Sequence, residues 1–165
     1  MSMHESGKHA VRMRKAMHVF SAGHFITLSD DLCEPIHGHN WTVAAEVDGP
    51  TDAHGMVVDF LLLRDRLSAI VAELDHRMLL PAENPRIEVA STGGEVTARF
   101  AGRRWVFPAD ECVILPMVNT TAELLAGWIG RRLLAVLAAE GRPLAGTLRL
   151  EVDECLGQAG VCELP

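Results

Sequence analysis

The chain has 165 residues, 48% of them apolar and 5% aromatic, enough for one domain over 1–165 whose core hides roughly 70% of the unfolded surface. Its 15 basic and 22 acidic residues leave a net charge of −7, the wrong sign for a protein that binds nucleic acid by broad phosphate attraction. No apolar run approaches the ~18 residues of a membrane span, and the opening MSMHESGKHA is too polar for a secretory signal, so a cytoplasmic protein without membrane contacts is expected.

In chain order, residues 11–26 and 37–48 read as strands. In the second, Trp41, Val43, Ala45 and Val47 share one face, and His37 and His39 have the same parity, at that face's edge. Ser29, Asp30, Asp31 and Pro35 mark the intervening stretch as a loop. Gly55–Asp59 reads as a short extended piece, followed by a helix over 60–74 with an apolar stripe from Phe60 through Leu63 and Leu67 to Leu74 and Asp59 as its N-cap. The Gly93-Gly94 pair between β-forming residues signals a hairpin, and Val113–Leu115 a further short strand. A second helix spans about 121–140, with Thr120 and Glu123 at capping-box spacing. Thr147–Glu154 closes the pattern as a strand. The sum is an α+β domain, an antiparallel β-sheet with two helices packed on one face.

The chemistry concentrates early. His37-Gly38-His39 opens a strand, where residues i and i+2 point to one side. His24 ends the preceding strand, which should pair alongside. Three imidazoles on one metal leave a tetrahedral position open, the pattern of catalytic zinc. Cys33 has three readings: a fourth ligand that closes the site, a free thiol acting as base, or a small buried hydrophobe. The four cysteines carry no mark of a disulfide framework. Glu34 reads as a loop carboxylate, Asp75-His76 as either a helix-end pair or an oriented proton carrier. Glu154 is either solvated or, if buried, a partner for an amidine-like edge. Thr121 and Glu123 have a sufficient account in the helix cap.

Taken together, FSAGH (20–24), CEPIHGHNW (33–41), GMVVDF (55–60), LDHRML (74–79), NTTAE (119–123) and VDE (152–154) resemble, in order, the motifs of the 6-pyruvoyl-tetrahydropterin synthase / 6-carboxytetrahydropterin synthase family. The resemblance implies a tunnelling fold assembled as an oligomeric ring, a homo-hexamer with active sites at subunit interfaces. It also implies Zn2+ on His24, His37 and His39, Cys33 as the catalytic thiol, Asp75 and His76 in proton transfer, and Glu154 with the Thr121 segment holding a pterin triphosphate. The three residues between Cys33 and His37 resemble the queuosine branch, which makes 6-carboxy-5,6,7,8-tetrahydropterin. Glu34 resembles a folate branch that releases 6-hydroxymethyl-7,8-dihydropterin. Pyruvoyl-tetrahydropterin synthesis and a non-catalytic zinc-stabilised pterin-binding module are the remaining alternatives. Two features depart from the pattern: Trp41 stands where Tyr is frequent, and the segment at about 81–116, which contains the expected hairpin, is longer than in compact members.

Overall fold

The computed structural model describes residues 8–155 and 157–165. Two antiparallel strands lead, β1 (His9–His24) and β2 (His37–Gly49), followed by helix α1 (Phe60–Ala72) and strand β3 (Arg77–Pro81). Three short strands come next, β4 (Glu88–Thr92), β5 (Glu95–Phe100) and β6 (Arg103–Pro108). The chain ends with β7 (Cys112–Leu115), helix α2 (Ala122–Ala139), β8 (Thr147–Cys155) and β9 (Gln158–Leu164). Six strands form one sheet in the order β7-β3-β1-β2-β8-β9, and β4-β5-β6 form a second. The main sheet is mixed rather than antiparallel throughout, because β3 lies parallel to both β1 and β7. The two parallel pairings follow from the crossovers: α1 carries the chain from β2 to β3, and the small sheet carries it from β3 to β7.

Both helices bury apolar stripes against the main sheet. Leu63, Leu67, Ile70 and Val71 of α1, and Leu125, Ile129, Leu133 and Leu137 of α2, enclose a core with Trp41, Val43, Val47, Leu148, Leu150 and Val152. Asp59 caps α1, its side chain accepting from the amides of Leu61 and Leu62. The cap of α2 is Thr121, not Thr120: Thr121 accepts from the Leu124 amide, while Thr120 is fully buried and turned toward His24. The stretch 51–59 is a turn and not an extended piece, with Asp52 accepting from the amides of His54 and Met56.

An irregularity in β1 sets the orientation of everything downstream. Between Arg14 and Val19 the strand advances five residues while β2, from Ala44 to Thr42, advances two. The three extra residues are an odd number, so the parity of β1 inverts across the bulge. Val11 and Met13 face the helices before it, and Phe20, Ala22 and His24 face them after it.

The small sheet builds a second apolar cluster. Val96, Ala98 and Phe100 pack with Phe25, Met78, Leu80, Ile87 and Cys33, and Trp105 stacks on Phe25 with ring centroids 4.4 Å apart. This cluster lies beneath the loop between β1 and β2, whose base is closed by a Thr27–Cys33 bridge.

Candidate metal centre

His24 and His37 are direct partners across the β1–β2 ladder, and His39 sits opposite Ala22. One ligating nitrogen from each of the three can be chosen so that all lie within 4.8 Å of one another. Gly38 between them relieves a tight spot: a Cβ there would come within 3.2 Å of the Ala22 carbonyl oxygen, and the paired backbone would have to give by a few tenths of an ångström. Trp41, two residues further on, forms the floor, its indole N–H donating to the Ala22 carbonyl and its ring edge-on to His24 and His39.

The ring tautomers follow from carbonyl partners. His24 Nδ1 donates to the Thr120 carbonyl at 2.9 Å, and His37 Nδ1 donates to the Pro35 carbonyl at 2.9 Å. Both Nε2 atoms are then bare lone pairs, yet they stand 3.1 Å apart. Two lone pairs repel at that distance unless a cation lies between them. A tetrahedral zinc with bonds of about 2.0–2.1 Å sets its donors about 3.3 Å apart, close to this spacing. Carbonyl acceptors on the far ring nitrogens are the usual support of metal-bound imidazole. The donor set therefore fits Zn2+. Cys33 is outside the group of converging ligand atoms, so the three histidines leave a coordination position free.

Burial shapes the electrostatics. His24 is 1% exposed, and enclosure, reinforced by His37 and His39, lowers its pKa from 6.5 to about 4, keeping the ring neutral and available. Glu154 lies on one side, Oε1 4.0 Å from His24 Nε2, and Glu34 on the other, Oε2 4.0 Å from His37 Nε2. Burial raises the Glu154 pKa, with Glu34 and Glu123 adding to the rise and His39 and His37 opposing it. Thr121 follows Thr120 at the start of α2, so the helix cap and the carbonyl that holds His24 belong to one turn.

Cys33 is placed differently from Glu34. Its side chain is buried in the small-sheet cluster, and burial raises its pKa despite the opposing influence of Arg103. Asp75 and His76 form a dyad, with His76 Nδ1 2.9 Å from Asp75 Oδ2 and the Ser21 amide donating to Asp75 Oδ1. That amide bond, before the histidine, holds the Asp75 pKa below its usual value. Neither member of the dyad belongs to the group of converging ligand atoms. His76 and His39 line one cavity of about 470 Å3 together with Ser21, Gly23, Gly38 and Asn40. His76 adopts a left-handed backbone, φ 55°, which turns the chain from α1 into β3.

Residue patterns do not reveal the Thr120 and Pro35 carbonyls, since every residue carries one. Nor do they reveal the asparagine clasp beside the site, in which Asn119 accepts from the Thr27 amide and from Asn84 while donating to the Thr27 carbonyl.

Residues 13–158 match the family model described as 6-pyruvoyl tetrahydropterin synthase. A Pyrococcus horikoshii protein provisionally named 6-carboxy-5,6,7,8-tetrahydropterin synthase is 37% identical over 69% of this chain and 68% of its own length. A dihydroneopterin monophosphate aldolase of Pyrococcus furiosus is 36% identical over 42% of this chain and 59% of its own. Among solved structures, a catalytic-residue variant of Plasmodium vivax 6-pyruvoyltetrahydropterin synthase, with a glutamate replaced by alanine, superposes with a TM-score of 0.87 at 20% identity, covering 96% of this chain and 98% of that one.

Proposed function

Because the chain belongs to the 6-pyruvoyl tetrahydropterin synthase family, we propose that it converts 7,8-dihydroneopterin triphosphate to 6-carboxy-5,6,7,8-tetrahydropterin, with loss of triphosphate and acetaldehyde. The observation that carries this reading is the convergence of His24, His37 and His39, with bare Nε2 atoms, between two carboxylates. The names of similar proteins, the Pyrococcus horikoshii one among them, favour the carboxy product.

Zinc, when bound, supplies Lewis acidity toward oxygens of the substrate side chain. His24, His37 and His39 would hold it, and Cys33 lies outside that ligand group. Glu154, half-buried and desolvated, gains from two parallel N–H donors such as the amidine edge of a pterin provides, so it anchors the ring, with backbone near Thr121 closing one side. Proton removal falls to Cys33 or Glu34. Cys33 acts as thiolate once bound substrate adds to the lowering influence of Arg103, which by itself does not overcome burial. Glu34 stands beside the metal ligands, its Oε2 4.0 Å from His37 Nε2. Asp75 fixes the His76 tautomer with Nδ1–H toward the carboxylate, which leaves Nε2 to carry protons. Asp75 is held by the Ser21 amide, on the β1 parity opposite to that of His24, and in the ring-like homo-oligomer that the family resemblance implies the dyad serves a metal centre across a subunit boundary.

The position of Glu34, 4.0 Å from His37 Nε2 while Cys33 is buried, favours a second reading, aldolase-like release of 6-hydroxymethyl-7,8-dihydropterin. The test is a product analysis by mass spectrometry. Zinc-loaded wild type, Cys33→Ala and Glu34→Gln would each be incubated anaerobically with the triphosphate substrate and its dephosphorylated form. The carboxy product should dominate in wild type and fall ~10²–10⁴-fold in Cys33→Ala, with zinc content retained. A hydroxymethyl product abolished in Glu34→Gln establishes the second reading. Zinc lost from Cys33→Ala removes the base assignment, and no product from either substrate removes both readings.

A further inference from the structure

Four arginines surround a cavity of about 360 Å3 at the end of the small sheet, in a chain whose net charge is −7. Arg86, Arg99, Arg103 and Arg104 line it with Glu88 as the single acid. Two of the four secure the loop that leads to the metal centre. Arg86 donates to the Asp30 carbonyl and stands 3.6 Å from Asp31 Oδ1, and Arg103 donates to the Cys33 carbonyl at 2.9 Å. The other two are directly opposed in the β5–β6 register. Among the described residues, neither Arg99 nor Arg104 has a carboxylate within ion-pair distance, although Glu88 stands opposite Arg99 in the β4–β5 register, which leaves Arg104 facing only like charge.

Like charges directly opposite each other on an antiparallel ladder are destabilising, and here the turn enforces the opposition. Ala101 and Gly102 both have positive φ, 44° and 83°, as a two-residue hairpin turn demands. Guanidinium groups match phosphate oxygens in pairs, so a multiply charged phosphate chain relieves the repulsion that the register creates. The pocket is also linked to the metal centre: Arg103 grips Cys33, and the next residue, Glu34, reaches to within 4.0 Å of His37 Nε2.

We infer that this arginine pocket is an oligophosphate-binding site, gripping either the phosphate tail of the ligand at the metal centre or a separate phosphate chain. The first source rests on the function proposed above; the site itself does not.

The probe is inorganic tripolyphosphate, titrated calorimetrically into the as-purified protein, with the double variant Arg99→Gln/Arg104→Gln and the charge-preserving double variant Arg99→Lys/Arg104→Lys alongside. Both residues are exposed, so thermal melting should match wild type in the lysine variant and match or exceed it in the glutamine variant, where the opposed charges are gone. Binding should weaken roughly 10–100-fold in the glutamine variant and largely recover in the lysine one. Affinity unchanged in the glutamine variant overturns the site, including the case in which all binding occurs at the metal. Kinetics then separate the sources. For a substrate tail, kcat/KM of the triphosphate substrate falls in the glutamine variant while that of its dephosphorylated form is unchanged. For a separate ligand, both stay unchanged although tripolyphosphate binding is lost. Arginine-dependent binding in a protein that turns over neither substrate leaves the site standing and removes the proposed reaction.

Discussion

His18 lies on β1 inside the bulge, its ring fully enclosed, and among the described residues neither ring nitrogen meets a hydrogen-bond partner of acceptable geometry. Burial lowers its pKa from 6.5, with Lys15 and Arg64 charges in the same direction and the backbone of Arg64 opposing. A base whose folded pKa is depressed binds its proton more readily in the unfolded chain. Stability therefore declines as pH falls below 6.5 toward the lower folded value, and is fully present above 6.5. Replacing His18 by Leu should remove two unsatisfied nitrogens, each worth about 1–3 kcal/mol, raise the melting temperature, and flatten its slope between pH 7.5 and 5.5. Parallel melting profiles for the two proteins would contradict a buried neutral ring. The three metal-centre histidines were legible in the sequence because period-2 geometry converts H-G-H into convergence. His18 was not, since nothing local distinguishes a residue inside a bulge from one on a regular strand. Cys33 was legible as a choice of three roles, and burial among Phe25, Met78 and Phe100 is a tertiary fact that spacing does not contain.

Among the elements, both helices and the two long strands followed directly from apolar period and caps. β3 did not: it is buried on nearly its whole length, as parallel strands are, and so lacks the alternation that announces a strand. β6 and β9 were also missed, and the mixed sheet with them, because periodicity assigns faces and not partners. The α2 start illustrates how one element sets the site. Its preceding turn holds His24 through the Thr120 carbonyl, and the Asn119 clasp holds that turn to Thr27. Asn119→Ala should lower metal affinity by ~10–100-fold, the usual effect of removing outer support, with little change in helix content. A chelator-competition titration reads the affinity, and an unchanged value would show that the clasp is unrelated to the histidine geometry.

For the molecule as a whole, among the described residues the main sheet ends at β7 and β9 with no further strand beside either, and the Asp75–His76 dyad is held by the Ser21 amide, on the β1 parity opposite to that of His24. Both features suit association of copies, with each centre completed by a neighbour. His39→Ala and His76→Ala should each be inactive alone, yet regain part of wild-type turnover when co-assembled by joint refolding. No recovery would place the dyad and the triad in one subunit's own site or remove His76 from the reaction. The expected α+β architecture was legible because alternation and helical stripes lie within each segment; the arginine pocket was not, because it depends on the register of β5 against β6.

The sequence separations around the metal centre also have an order in time. His24 and His37 are 13 residues apart, whereas the Thr120 carbonyl that orients His24 lies 96 residues beyond it. Chains emerge N-terminus first, at about 5–20 residues per second. A ribosome thus releases all three ligands, on a hairpin that closes locally and carries its own carbonyl for His37, seconds before the turn that orients His24.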